Sequence, residues 1–190
     1  MTTAVLALQG AFAEHRRVLE VLGEQTVELR QAEDLRRDFD RLVLPGGEST
    51  VQGKLLRELG MLGPLRERVE AGMPVLGTCA GLILMAARIE GDHRGAGAPT
   101  LGTLPVTVRR NAYGRQLASF HTTAAFAGLG DVPMTFIRAP QIVEVGDGVE
   151  VLAEVDDVVV AARYGSQVAT AFHPELDGDT RIHELFLGLG

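Results

Sequence analysis

The chain has 190 residues, 46% hydrophobic and 23% charged, the balance of a globular domain with enough length to bury a core. Its 18 Lys and Arg against 25 Asp and Glu leave a net charge of −7, which disfavours nucleic acid or an anionic membrane surface as a partner. The single cysteine, Cys79, excludes an internal disulfide, a cysteine-rich zinc site and a CxxC redox pair, and fits a reducing compartment.

No basic stretch followed by an apolar run and a cleavage site opens the sequence, and no apolar stretch is long enough to span a bilayer. There is no internal repeat. One domain over residues 1–190 and a cytoplasmic location are expected. Thr3 to Leu8 is a short, almost wholly apolar run that reads as a strand buried on both faces. Phe12, His15, Val18, Leu19 and Leu22 then follow at helical spacing, with Gly23 as the stop. Val27 to Leu29 and Arg41 to Leu44 read as further strands, the latter ending at Pro45-Gly46-Gly47. Helices are expected from about Thr50 and over Leu65 to Ala71. A buried strand at Pro74 to Gly77 precedes a helix from Gly81 to Ala87. Strands alternating with helices imply right-handed crossovers and a parallel sheet covered on both sides.

Gly91 to Pro99 is a glycine-rich loop, and beyond residue 100 the texture becomes hairpin-rich. Short strands are expected at Pro105 to Arg109, Gln116 to Phe120, Met134 to Ile137 and Val149 to Glu154. Val158 to Arg163 and Val168 to Phe172 flank a turn at Tyr164 to Gln167, and a helix from about Thr180 to Leu187 closes the chain. The fold class is therefore α/β: a central, mostly parallel sheet flanked by helices, with added β-hairpins in the second half.

Gly77-Thr78-Cys79-Ala80-Gly81, set between an apolar strand and an apolar helix, has the form of a nucleophile elbow with Cys in place of Ser. The turn is tight, and a helix N-terminus behind it favours a thiolate. A lone cysteine is more often an inert core residue, and it is the elbow that reverses that reading. His173-Pro174-Glu175 emerges from a strand end and supplies a base with a carboxylate to orient it. His15, His93, His121 and His183 lack that combination. The Gly46-Gly47 pair, between strand and helix, can turn backbone N–H groups toward an oxyanion. The phosphate-loop spacing fails here, with Leu55 where Ser or Thr should stand, and no P-C-x-x-C follows His173 to make a zinc deaminase. Arg110 and Arg138 lie near strand ends, where a guanidinium could bind a substrate carboxylate; from sequence alone, exposed structural arginine is the commoner explanation and stays ahead.

Together these residues resemble the triad, or class I, glutamine amidotransferases. Leu8-Gln9-Gly10-Ala11, Glu14-His15, Pro45 to Thr50, Gly77 to Leu82 and Phe136 to Pro140 point within them to the branch that provides the glutaminase of pyridoxal 5′-phosphate synthase. The resemblance spans nearly the whole chain. It implies Cys79 as nucleophile, His173 as base and Glu175 as orienting acid. L-Glutamine would be held by Gly47, Glu48, Ser49, Arg110, Ile137 and Arg138. Gly46, Gly47 and Ala80 would form the oxyanion region, with Gln9 and Gly10 beside it. No metal or organic cofactor is implied, and the partner is a (β/α)8 synthase subunit that takes the ammonia. Two places depart from the pattern: Ala112-Tyr113 stand where Ser-Phe is expected, and His121 where an acid is expected. Other readings of the same elbow are the glutaminase of another synthase such as imidazole-glycerol-phosphate synthase, a cysteine peptidase or DJ-1-like protein, and a non-enzymatic regulatory module.

Overall fold

The computed structural model describes residues 1–91, 99–110 and 119–189. Five strands build the first part of the chain: β1 (Thr2–Leu6), β2 (Gln25–Leu29), β3 (Arg41–Leu44), β4 (Val75–Thr78) and β5 (Ala86–Ile89). Between them run α1 (Phe12–Val21), α2 (Ser49–Glu58), α3 (Leu62–Glu70) and α4 (Ala80–Met85). The second part carries β6 (Leu104–Arg109), β7 (Ser119–Phe126), β8 (Gly130–Ile137), β9 (Gln141–Val145), β10 (Glu150–Val155), β11 (Val158–Tyr164) and β12 (Gln167–Thr170). A 3₁₀ turn at Pro174–Leu176 and α5 (Arg181–Leu187) follow.

The main sheet runs β2-β1-β3-β4-β12-β11-β9-β6-β5, with β10 added on β11; β7 and β8 form a separate hairpin. From β2 to β12 every pairing is parallel, and from β12 through β6 it is antiparallel. Every residue of β3, β4 and β12 is buried, as strands covered on both faces require, with apolar centres and the polar Arg41, Thr78, Gln167 and Thr170 at their ends. Each fully buried Leu or Val here contributes on the order of 1.5–3 kcal/mol through removal from water.

β4 lies between β3 and β12, so the loops leaving the C-terminal ends of all three converge. Those loops carry the Pro45–Glu48 turn, Cys79 and His173, the topology by which parallel sheets gather ligand sites. Two strands differ from the sequence expectation. Ala86 and Ala87 continue the helical pattern of α4, yet the chain turns there into β5 because Ala86 to Ile89 pair with β6. β9 was not expected although Ile142, Val143 and Val145 are β-branched; it carries two polar residues, half-buried Gln141 and exposed Glu144, and pairs with β6 and β11. The expected strand at Gln116 to Phe120 is described only from Ser119, where β7 begins. Residues 92–98 of the glycine-rich loop, and Ala112 and Tyr113, lie outside the described residues. No helix among the described residues is long and apolar enough to cross a membrane.

Candidate active site

Cys79 sits between β4 and α4 with φ +49° and ψ −99°, a conformation that non-glycine residues rarely adopt and that costs on the order of 1–3 kcal/mol. Its N–H donates to the Thr170 carbonyl of β12 at 2.8 Å, which clamps the turn to the neighbouring strand. The flanking glycines are demanded by close approach. A Cβ on Gly81 would lie 2.0 Å from the Leu44 carbonyl oxygen, and one on Gly77 would lie 2.3 Å from Met85 Sδ and 2.9 Å from Gly81 carbonyl carbon.

His173 leaves β12 after Ala171-Phe172, and its N–H is anchored to the Thr135 carbonyl of β8 at 2.9 Å. Its Nδ1 lies 2.7 Å from Glu175 Oε1, and its side chain also hydrogen-bonds Cys79. Burial alone would push the imidazole down. The hydrogen bonds to Cys79 and Glu175, together with their charges, outweigh burial and hold His173 up at about 10. Burial likewise opposes ionisation of Glu175, but contacts with His15 and His173 outweigh it and hold that carboxyl below its ordinary value. His173 is thus an imidazolium at neutral pH, set between the Glu175 carboxylate and the Cys79 sulfur.

In front of this group lies a cavity of about 230 Å³ lined by Gly47, Glu48, Ser49, Thr50, Cys79, Ile83, Arg110, Ile137 and Arg138. All six residues expected around glutamine therefore share one cavity with the cysteine. Arg138, at φ +45°, donates from Nη2 to Glu48 Oε1 at 3.1 Å across it. Arg110 touches Thr50 Oγ1 through Nη1 at 3.4 Å, while its buried Nε and Nη2 have no partner among the described residues. The cavity thus offers one carboxylate and unpaired guanidinium donors, the complement of a zwitterionic amino acid.

The Pro45–Glu48 turn is tied down from two sides. Gly46 carbonyl accepts from Ala11 N–H at 3.0 Å, Glu48 N–H donates to Gln9 Oε1 at 2.7 Å, and Gln52 Nε2 donates to the Gln9 and Pro45 carbonyls. Gln9 and Gly10 therefore strap the turn. Gly46 differs from its expected role as an oxyanion donor: its N–H is taken by Thr78 Oγ1 at 3.0 Å. It serves instead as a flat surface for the base, since a Cβ there would lie 2.3 Å from His173 Cε1.

Sequence reasoning missed the layer behind Glu175. His15 of α1 and His183 of α5 are fully buried; His15 Nδ1 lies 3.0 Å from His183 Nε2, and His15 Nε2 lies 3.0 Å from Thr78 Oγ1 and 3.3 Å from Glu175 Oε2. The available signal was a histidine on the apolar face of a helix. His121, in contrast, is an exposed residue of β7 whose Nδ1 meets Thr135 Oγ1 at 2.9 Å and lies 3.5 Å from Asp177 Oδ1. No group of three or more His, Cys, Asp or Glu among the described residues is placed to hold a metal ion.

The model of the SNO glutamine amidotransferase family matches residues 5–189. The chain belongs to that family. A pyridoxal 5′-phosphate synthase subunit PdxT from Desulfitobacterium hafniense strain Y51 is 58% identical over 187 residues, covering 98% of this chain and 92% of the relative. The protein of the same name from Methanocorpusculum labreanum is also 58% identical, over 98% of this chain and 96% of its own. A crystal structure described as a glutamine amidotransferase superimposes with a TM-score of 0.92 at 46% identity, covering 98% of this family member and 97% of that chain. PurLQS from Thermotoga maritima, at 15% identity and a TM-score of 0.69 over 95% of this chain and 90% of that one, shares the fold alone.

Proposed function

We propose that this chain is the glutaminase subunit of a pyridoxal 5′-phosphate synthase, hydrolysing L-glutamine to glutamate and ammonia for a (β/α)8 synthase partner. The observation that carries the reading is the single cavity that joins the strained Cys79, backed by His173 and Glu175, to the charged groups Glu48, Arg110 and Arg138. In this reading Glu48 holds the glutamine α-ammonium and the arginines its α-carboxylate, with Gly47, Ser49 and Ile137 shaping the pocket. The side-chain amide is thereby presented to Cys79.

The Cys79 thiolate, its proton resting on His173, adds to the amide carbon, and the oxyanion is held by backbone N–H groups of Gly47 and Ala80. His173 gives its proton to the departing ammonia, and the C–N bond breaks to leave a γ-glutamyl thioester. A water that loses a proton to His173 then attacks the thioester carbon, the C–S bond breaks, and glutamate leaves. Glu175 keeps the imidazole oriented throughout. Gln9 and Gly10, which strap the oxyanion turn, are where docking of the synthase acts on turnover.

The test is glutamate release measured with and without the synthase subunit. Wild-type chain should turn over sharply faster with its partner, and Cys79→Ser should lower kcat by about 10³-fold or more. Full activity in Cys79→Ser, or a rate indifferent to the synthase, would refute the assignment or the coupling respectively.

A further inference from the structure

Behind Glu175 the groups facing one another are His15 from α1, His183 from α5, Thr78 from β4, and His173 with Glu175 from the strand-end turn. Their hydrogens can be assigned from hydrogen-bond logic. His183 has one partnered nitrogen, Nε2, and one buried nitrogen without a partner, Nδ1. If His15 carried its proton on Nδ1, His183 Nε2 would have to accept it, and a buried His183 N–H would be stranded. The His15 Nε2 lone pair would also stand 3.3 Å from Glu175 Oε2, a buried carboxylate oxygen with no hydrogen bond among the described residues. The opposite tautomers leave a lone pair on His183 Nδ1 unused and turn the Thr78 hydroxyl hydrogen away from His15 and Gly46; a rotatable hydroxyl and an idle lone pair are easier to bury than a fixed ring N–H with no acceptor and a lone pair set against a carboxylate. His183 Nε2–H then donates to His15 Nδ1. His15 Nε2–H in turn donates to Thr78 Oγ1 at 3.0 Å and stands 3.3 Å from Glu175 Oε2, turning the positive end of its dipole toward the carboxylate.

We propose that His15, fixed in its Nε2–H tautomer by His183, is a positioning residue for the Glu175 carboxylate and so for the catalytic base, a role that rests on the triad reading above. Glu175 thereby has one oxygen for each imidazole: Oε1 for His173 in front and Oε2 for His15 behind. The carboxylate is gripped at both ends and cannot rotate away from His173. The same His15 nitrogen reaches Thr78, whose oxygen holds the Gly46 N–H, so the grip extends to the turn that packs against the His173 ring. Both rear histidines are driven down by burial, His183 to about 3, so each is neutral where the enzyme works. His15 therefore acts on Glu175 as an N–H dipole, and the His173 imidazolium carries the balancing charge. Such a second layer behind a reacting group commonly changes rates by about 10- to 100-fold when removed.

Nitrogen-15 NMR of the imidazoles in the wild-type chain should find both His15 and His183 neutral with the proton on Nε2. A His15 proton on Nδ1 would overturn the proposal whatever the variants do. In the complex with the synthase, His15→Ala should lower kcat about 10- to 100-fold with KM within about twofold, and the NMR titration of His173 should move to lower pH. His15→Gln, which returns an N–H toward Oε2, should recover part of both. A folded His15→Ala with unchanged kcat and an unmoved His173 titration would overturn the proposal. A wild-type complex that releases no glutamate would refute the glutaminase reading instead, and the tautomer measurement on the free chain would still decide the role of His15.

Discussion

The Arg138–Glu48 contact at 3.1 Å and the His15–Glu175 contact at 3.3 Å have nearly equal lengths and opposite surroundings. The first joins side chains 68% and 58% exposed at the mouth of the cavity; the second joins side chains that are both 0% exposed. An exposed ion pair contributes about 0–1 kcal/mol, so an arriving zwitterion can separate Glu48 from Arg138 and take each as its own partner at little cost. A buried contact cannot be opened so cheaply, because a stranded carboxylate oxygen keeps its full desolvation penalty. Under the proposed function the front pair is the one exchanged for substrate, while the buried rear contact stays closed.

Three experiments would sharpen or break that contrast. Gly46→Ala places a methyl group where His173 Cε1 now lies, against a ring gripped from behind. The ring cannot retreat without pulling on Glu175, so kcat should fall about 100-fold while the chain still folds. A near-normal kcat would mean that the rear layer yields.

The second experiment uses acid. His15 and His183 bind protons more weakly folded than unfolded, and the depressed Glu175 behaves in the same direction. Between pH 6.5 and about 3 the unfolded chain therefore takes up the extra proton of His183, and stability falls as pH falls, by about 1.4 kcal/mol per pH unit at most for that residue. His173 has the opposite sign: raised to about 10, its contribution is complete below 6.5 and fades as pH rises toward 10. Urea midpoints should thus be highest near neutral pH and drop on both sides. A midpoint unchanged between pH 7 and 5 would contradict the buried neutral pair.

The smallest effect belongs to the front. Arg138→Ala should raise KM for glutamine about tenfold and leave the urea midpoint at neutral pH almost where it was. A large loss of stability would show that the exposed pair is structural after all.

How much of this was legible beforehand differs by residue. Cys79, His173 and Glu175 were visible because a strained turn and a strand end leave local marks: glycines on each side of the cysteine, and H-P-E directly after an apolar run. The Gly46-Gly47 pair after Pro45 shares that advantage, but Glu48 and Ser49 beside it became glutamine-binding candidates only by family resemblance. Arg110 and Arg138 were ambiguous as residues and became site candidates only by family resemblance, since an arginine at a strand end carries no local mark of its purpose. β5 is hidden in sequence because Ala86 and Ala87 continue a helical run and an edge strand is made by pairing, whereas β9, with Ile142, Val143 and Val145, does carry a β-branched pattern.

The sequence by itself determined the parallel half, the elbow and the acid–base candidates, because each depends on neighbours within a few residues and on burial that leaves continuous apolar runs. Only the tertiary structure decided that Glu48, Arg110 and Arg138 face one cavity with Cys79, and that Gly46 gives its N–H to Thr78. It alone decided that His15 and His183, 168 positions apart, share a hydrogen bond behind Glu175. Contacts at that separation depend on how helices close over the sheet, and a buried histidine looks the same in sequence whether it fills a core or steadies a carboxylate.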